Sequence, residues 1–226
     1  MLKLTPILLI LLYVAVMWLF SSWRLKQELA SRSTPLDHPR LTPLLTRLGH
    51  AMDLPPIRAH VYETLGINGL AAPDGRIFLT RGFLDKLDEN KVTPEELASV
   101  IAHELGHVSL GHSRRRLIDF AGTNVIRTVL IGVVGRFIPF IGPWLAGLAA
   151  SAIAARLSRQ DEFEADRFAT ALMIRAGLGA GPQKSLFAKL DRMSEGMRST
   201  HDWLMSHPKP EARIRAIEAN EASWQR

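Results

Sequence analysis

A chain of 226 residues can hold one domain with its own core plus further segments, and an apolar content of 47% is high for a domain that meets water alone. There is no cysteine, which excludes disulfides and thiolate metal sites and leaves His, Asp and Glu as the only available metal ligands. A net charge of +6 suits nucleic acid or an anionic membrane surface; the basic residues are dispersed apart from Arg114-Arg115-Arg116 and no nucleic-acid-binding module is legible, so membrane lipids are the expected partner and nucleic acid is not.

From Leu4 to Trp23 no residue is charged. The stretch is long enough to cross a bilayer as a helix, and Trp18 and Trp23 stand where an aromatic belt belongs. Residues 1–23 are therefore expected to form a single transmembrane anchor. The rival is a cleaved signal peptide with Lys3 as its basic end, although no A-x-A site follows. Arg24, Lys26 and Arg32 outnumber the positive charges before the span by a small margin, which favours the cytoplasmic face of the cell's inner membrane for the rest of the chain over the periplasmic one.

Residues 24–56 read as a linker and an amphipathic helix: Ser31–Arg40 is polar and proline-containing, Leu41, Leu44, Leu45 and Leu48 recur at helical spacing, and Pro55-Pro56 ends the helix. A domain over 57–226 follows. Ile57–Glu63 alternates as a strand does, Asp74-Gly75 signals a hairpin turn, and Arg76–Thr80 reads as a second strand before a short helix near Phe83–Leu87. Thr93, Pro94 and Glu96 form a helix start with an N-cap, a proline at N1 and a capping box; that helix runs to Gly111. Leu117–Ala155 is apolar but interrupted by Asp119, Asn124, Arg127 and Arg136, which fits a re-entrant hairpin, a hydrophobic flap or a buried helical pair. Helices are expected over Arg159–Arg175, Gln183–Arg192 and Glu211–Ala222.

The capped helix carries His103-Glu104-Leu105-Gly106-His107. Positions i and i+4 share a helical face, so both imidazoles reach one Zn²⁺, and Glu104 beside them can take a proton from a water the metal has acidified. A hydrolytic zinc takes three protein ligands, and the best further source is Ser158–Asp166. There Glu162 and Asp166 share a face: Glu162 can complete the metal set, and Asp166 can accept the second ring N–H of a ligand histidine. Glu164 is rotated away.

HELGH followed by SRQDEFEAD resembles the HtpX-type membrane metalloendopeptidases, a family that also holds the CAAX prenyl protease and BepA-type proteases. The resemblance runs from Leu41 to Ile217 and takes in Asn68-Gly69-Leu70-Ala71, Gly82-Phe83-Leu84 and the tail His207-Pro208-Lys209-Pro210-Glu211-Ala212-Arg213. It implies a mainly α fold with a small β-sheet (α+β), a gluzincin-like metallopeptidase domain behind one transmembrane helix, with Glu162 as third zinc ligand. It also implies protein or peptide substrates, among them damaged membrane and envelope proteins. HtpX itself carries two spans before its metal motif and two after, whereas one clear span precedes HELGH here. A zinc-bound chaperone or scaffold with little proteolysis is the alternative, and the presence of Glu104 speaks against it.

Two further expectations concern substrate. Arg76, Ile77, Phe78, Leu79 and Thr80 are expected to form an exposed strand edge beside the metal helix, where an extended peptide adds by backbone hydrogen bonds. His207 is expected near the zinc, as an oxyanion donor or a blocking ligand, since the only tyrosines are Tyr13 and Tyr62; capping the last helix is its bland alternative. Arg213 closes the tail motif.

Overall fold

The structure, a computed structural model, describes residues 5–72, 74–112, 115, 142–194 and 209–224. They form α1 (Thr5–Ser31), β1 (Ser33–Pro35), α2 (Thr42–Ala51), β2 (Ala59–Tyr62), β3 (Gly69–Ala71), β4 (Ile77–Thr80), α3 (Arg81–Asp88), α4 (Pro94–Ser109), α5 (Gly142–Arg175), α6 (Gly181–Ser194) and α7 (Pro210–Trp224). The class is the expected one, mainly helical with a small mixed sheet.

Contacts gather the chain into two units, one over 1–25 and 111–161, the other over 26–110 and 162–226. In the first, α1 exposes Leu8, Leu9, Leu12, Tyr13, Val16, Leu19, Phe20 and Trp23. Among the described residues no helix is long and apolar enough to cross a membrane, so the span expected at 1–23 is not found as such; residues 1–4 and several α1 side chains lie outside those described. Residues 116–141, most of the expected flap, also lie outside them, and 142–155 belong to α5.

The second unit is built on a four-stranded sheet of order β1-β2-β4-β3. β1 and β3 pair antiparallel with β2 and β4, and β2 runs parallel to β4 with Ala59 opposite Ile77. Two sequence expectations change here. Ser33–Pro35, read as linker, is an edge strand, a place that tolerates proline because no ladder N–H is needed on the open side. Arg76–Thr80 is not an open edge: Ile77–Thr80 is hydrogen-bonded on both sides and buried throughout. Its consecutive Ile77, Phe78 and Leu79 are the mark of a strand covered on both faces. The edge is β3, tied to β4 by the expected turn: Gly75 takes φ +86° and the Arg76 N–H donates to Asp74 Oδ1 at 3.2 Å.

One sheet face meets the main core, where Val61, Ile77 and Leu79 join Leu48 of α2, Phe83 and Leu87 of α3, Leu97 and Ile101 of α4 and Leu172 and Met173 of α5. The other face is covered by the last turns of α1, whose Leu29 is buried with Phe78 and Ala72. α4 is the central helix, buried from Glu96 to Gly106. Its start is the capping box read in the sequence: Thr93 Oγ1 accepts from the Glu96 N–H at 3.2 Å, and Glu96 Oε2 accepts from the Thr93 N–H at 2.8 Å. Glu96 then also receives Ser185 Oγ at 2.6 Å and Lys189 Nζ at 2.9 Å, which ties the start of α4 to α6.

Candidate metal centre

Because α4 is fixed at its start and packed on all sides, the imidazoles of His103 and His107 are held in place. A second helix must bring a carboxylate to them, and the two helices touch at Gly106. A Cβ there would lie 3.0 Å from Ala165 Cα and 3.0 Å from Ala165 O, so any side chain would need the helices to part by a few tenths of an ångström, and glycine lets them meet without that. Ala165 sits between Glu162 and Asp166 on the buried side of α5. The close contact therefore delivers both carboxylates to the histidines.

His103 Nε2 lies 3.1 Å from His107 Nε2 and 3.3 Å from Glu162 Oε2, and His107 Nε2 lies 3.4 Å from Glu162 Oε1. Zinc bonds of about 2.0–2.2 Å on a tetrahedron place neighbouring ligand atoms about 3.3–3.6 Å apart. The imidazole nitrogens are slightly closer than that, and each faces a different oxygen of Glu162, so the three residues gather donor atoms that would fit one zinc ion. His107 is the least covered among the described residues of the cluster, with 11% of its side chain exposed against 5% for His103 and 4% for Glu162.

Behind the cluster, His103 Nδ1 lies 3.0 Å from Asp166 Oδ1. Burial alone raises an acid such as Asp166, but the charge and hydrogen bonds of Arg213, with His103, hold it down to about 2. An ionised Asp166 only accepts, so Nδ1–H of His103 donates to it and Nε2 faces the cluster. Burial and the Arg213 charge push the His103 pKa down, yet Asp166 and Glu162 outweigh them and raise it to about 9.

Glu104 is 4% exposed and close enough to His103, His107 and Glu162 to feel their charge. Its Oε1 would be 3.4 Å from a Cβ at Gly69, which places the carboxyl against the start of edge strand β3. Burial raises its pKa, and the two imidazoles oppose without cancelling the shift.

Of the residues singled out by sequence, the structure brings together His103, Glu104, His107, Glu162, Asp166 and Arg213. Glu164 stays on the exposed side of α5, as its helical position required. His207 lies outside the described residues. Sequence reasoning missed Thr170 and Gln183. Thr170 Oγ1 donates to the Asp166 carbonyl at 2.8 Å, and Gln183 Nε2 to Asp166 Oδ1 at 3.3 Å. The i,i+4 spacing of Asp166 and Thr170 was a usable signal; nothing local marked Gln183.

Residues 36–221 match Peptidase family M48. The chain is 29% identical over 161 residues to the metalloprotease LoiP of Escherichia coli (strain K12), covering 71% of this chain and 62% of that protein. It is 29% identical over 196 residues to the metalloprotease YcaL of the same organism, covering 87% and 74%. Against a protease HtpX homolog of Salinibacter ruber it is 28% identical over 237 residues, covering 89% and 81%. This chain thus spans about three fifths of LoiP and three quarters of YcaL. The matched stretch contains the whole histidine–carboxylate cluster and the arginine behind it, and the chain belongs to Peptidase family M48 as a metallopeptidase domain.

Proposed function

We propose that this chain is a zinc-dependent endopeptidase in which His103, His107 and Glu162 hold one Zn²⁺ and Glu104 is the general base. The observation that carries it is the gathering of donor atoms of His103, His107 and Glu162, 3.1–3.4 Å apart, with the buried Glu104 next to His103 on the same helix. Zinc, when bound, acidifies a water and polarises the scissile carbonyl. Glu104 accepts the proton the water loses and passes it to the departing amine. Asp166 holds the His103 ring in one tautomer throughout. Zinc content and casein cleavage by the wild type beside Glu104→Gln, with and without chelator, test the reading.

Substrate is held, on this reading, along β3. The Thr80 N–H donates to the Asn68 carbonyl and the Ala72 N–H to that of Arg76, so the alternation of an antiparallel ladder turns the N–H and C=O of Gly69 and Ala71 outward, beside Glu104. An extended peptide that pairs there is read by its backbone, which suits unfolded segments of membrane and envelope proteins of varied sequence. Proline at Ala71 deletes one outward N–H at a position where an edge strand tolerates it. The loss of one hydrogen bond, about 0.5–1.5 kcal/mol, should raise KM for peptides about 2–12-fold and leave zinc content alone. An unchanged KM in the folded variant would remove β3 from substrate binding.

α1 is proposed as the part that holds the enzyme to a bilayer. Support comes from its 27 helical residues, about 40 Å at 1.5 Å each, and from the absence of charge between Leu4 and Trp23. After alkaline carbonate washing the full chain should stay in the membrane pellet, and a chain lacking 1–23 should not. Release of the full chain into the wash would refute the anchor.

A further inference from the structure

Arg213 is 0% exposed, the largest fully buried side chain among the described residues. It reaches from α7, the last helix, to Asp166 on α5, donating from Nε to Oδ2 at 2.7 Å and from Nη2 to Oδ1 at 2.6 Å. The guanidinium lies 4.1 Å over the Phe187 ring of α6, which fixes its plane. Its Nη2 is 3.2 Å from His103 Nδ1. Oδ1 of Asp166 is therefore shared between the arginine fork and the His103 ring N–H. A two-point fork stops a carboxylate from turning about its last torsion, which a single charge cannot do.

We propose that Arg213 is the positioning residue of the metal centre: by clamping both oxygens of Asp166 it fixes the direction in which Oδ1 receives the His103 ring, and so aims His103 Nε2 at the metal. The positive charge keeps Asp166 ionised, and the geometry of the fork sets the carboxylate's direction. Docking of α7 is then coupled to the grip on zinc, although α7 supplies none of the three ligands. This rests on the proposed zinc site.

Four full-length variants separate the possibilities: Arg213→Lys, which keeps the charge and loses the fork; Asp166→Asn; the two combined; and Glu221→Ala. The last breaks the Lys184–Glu221 pair at 2.7 Å, which also joins α6 to α7 but lies outside the cluster. Zinc titration against a competing chromogenic chelator should show affinity about 10–100-fold weaker in Arg213→Lys, the usual cost of an outer partner of a ligand. kcat should fall with KM near the wild-type value. The double variant should be no weaker than Asp166→Asn, because both changes cut one chain of contacts. Glu221→Ala should match the wild type. Phe187→Leu, a milder change that removes only the ring beneath the guanidinium, should shift zinc affinity the same way by less. Wild-type zinc affinity in Arg213→Lys, additive losses in the double variant, or an equal loss in Glu221→Ala would each overturn the proposal. A downfield His103 Nδ1–H resonance, present in the wild type and lost in Arg213→Lys with or without added zinc, reports the clamp directly. Should the wild type hold no zinc, that resonance still decides the clamp, and the zinc reading fails separately.

Discussion

Glu104→Gln should bind one zinc per chain and cleave casein about 10²–10⁴-fold more slowly than the wild type, the range lost with a general base. The amide has the shape of the carboxyl and fits the same buried space against β3, so the fold has no reason to change. It offers no site for a proton. The three metal-facing groups are on other side chains, which is why zinc content and turnover part company in this variant. His103→Ala should behave in the opposite sense, losing metal and turnover together. A wild type that holds zinc and cleaves nothing, indistinguishable from Glu104→Gln, would return the chain to the scaffold reading. Wild-type turnover in Glu104→Gln would leave the metal site intact and move the base elsewhere.

The parts of this site that were legible in the sequence are those that local geometry fixes. A capping box sets where α4 begins, and the helical repeat then puts His103 and His107 on one face without reference to the rest of the chain. The same arithmetic separates Glu162 and Asp166 from Glu164. The sheet was less legible. Strand order depends on which distant segments pair, and the parallel match of β2 with β4 leaves no local turn signal. The unbroken Ile77-Phe78-Leu79 run did carry the message that β4 is interior, and reading it as an edge overlooked that run. β1 was hidden because a three-residue edge strand with a proline is composed like a loop. α5 begins at Gly142, well before the expected Arg159, since the Ala-rich stretch after Pro143 contains nothing that stops a helix. Arg213 could be picked out as part of a tail motif, but its meeting with Asp166, 47 residues away, is a product of α7 packing on α6 and α6 on α4.

Glu162→Ala should lose zinc on dialysis and all measurable turnover, whereas Glu164→Ala should keep both. The two glutamates stand two positions apart, about 160° around the helix, so a single α5 orientation cannot serve both as ligands. Glu162 is on the side that carries Ala165 against Gly106 and Asp166 against His103. Its two oxygens meet both imidazoles, at 3.3 and 3.4 Å. Deleting it leaves two histidine donors, a set too small for a hydrolytic zinc site, and the affinity loss should exceed the roughly 10–100-fold that an outer partner costs. Folding should survive, because α5 is held by Leu172, Met173 and Ala169 in the main core and by the Arg213 fork on Asp166. Inductively coupled plasma measurement of zinc per chain, made beside a thermal melt, distinguishes loss of metal from loss of fold. Full zinc in Glu162→Ala together with metal loss in Glu164→Ala would make Glu164 the ligand. That outcome requires α5 to turn by about 160°, which would carry Ala165 off Gly106 and bury Glu164 where the structure exposes it.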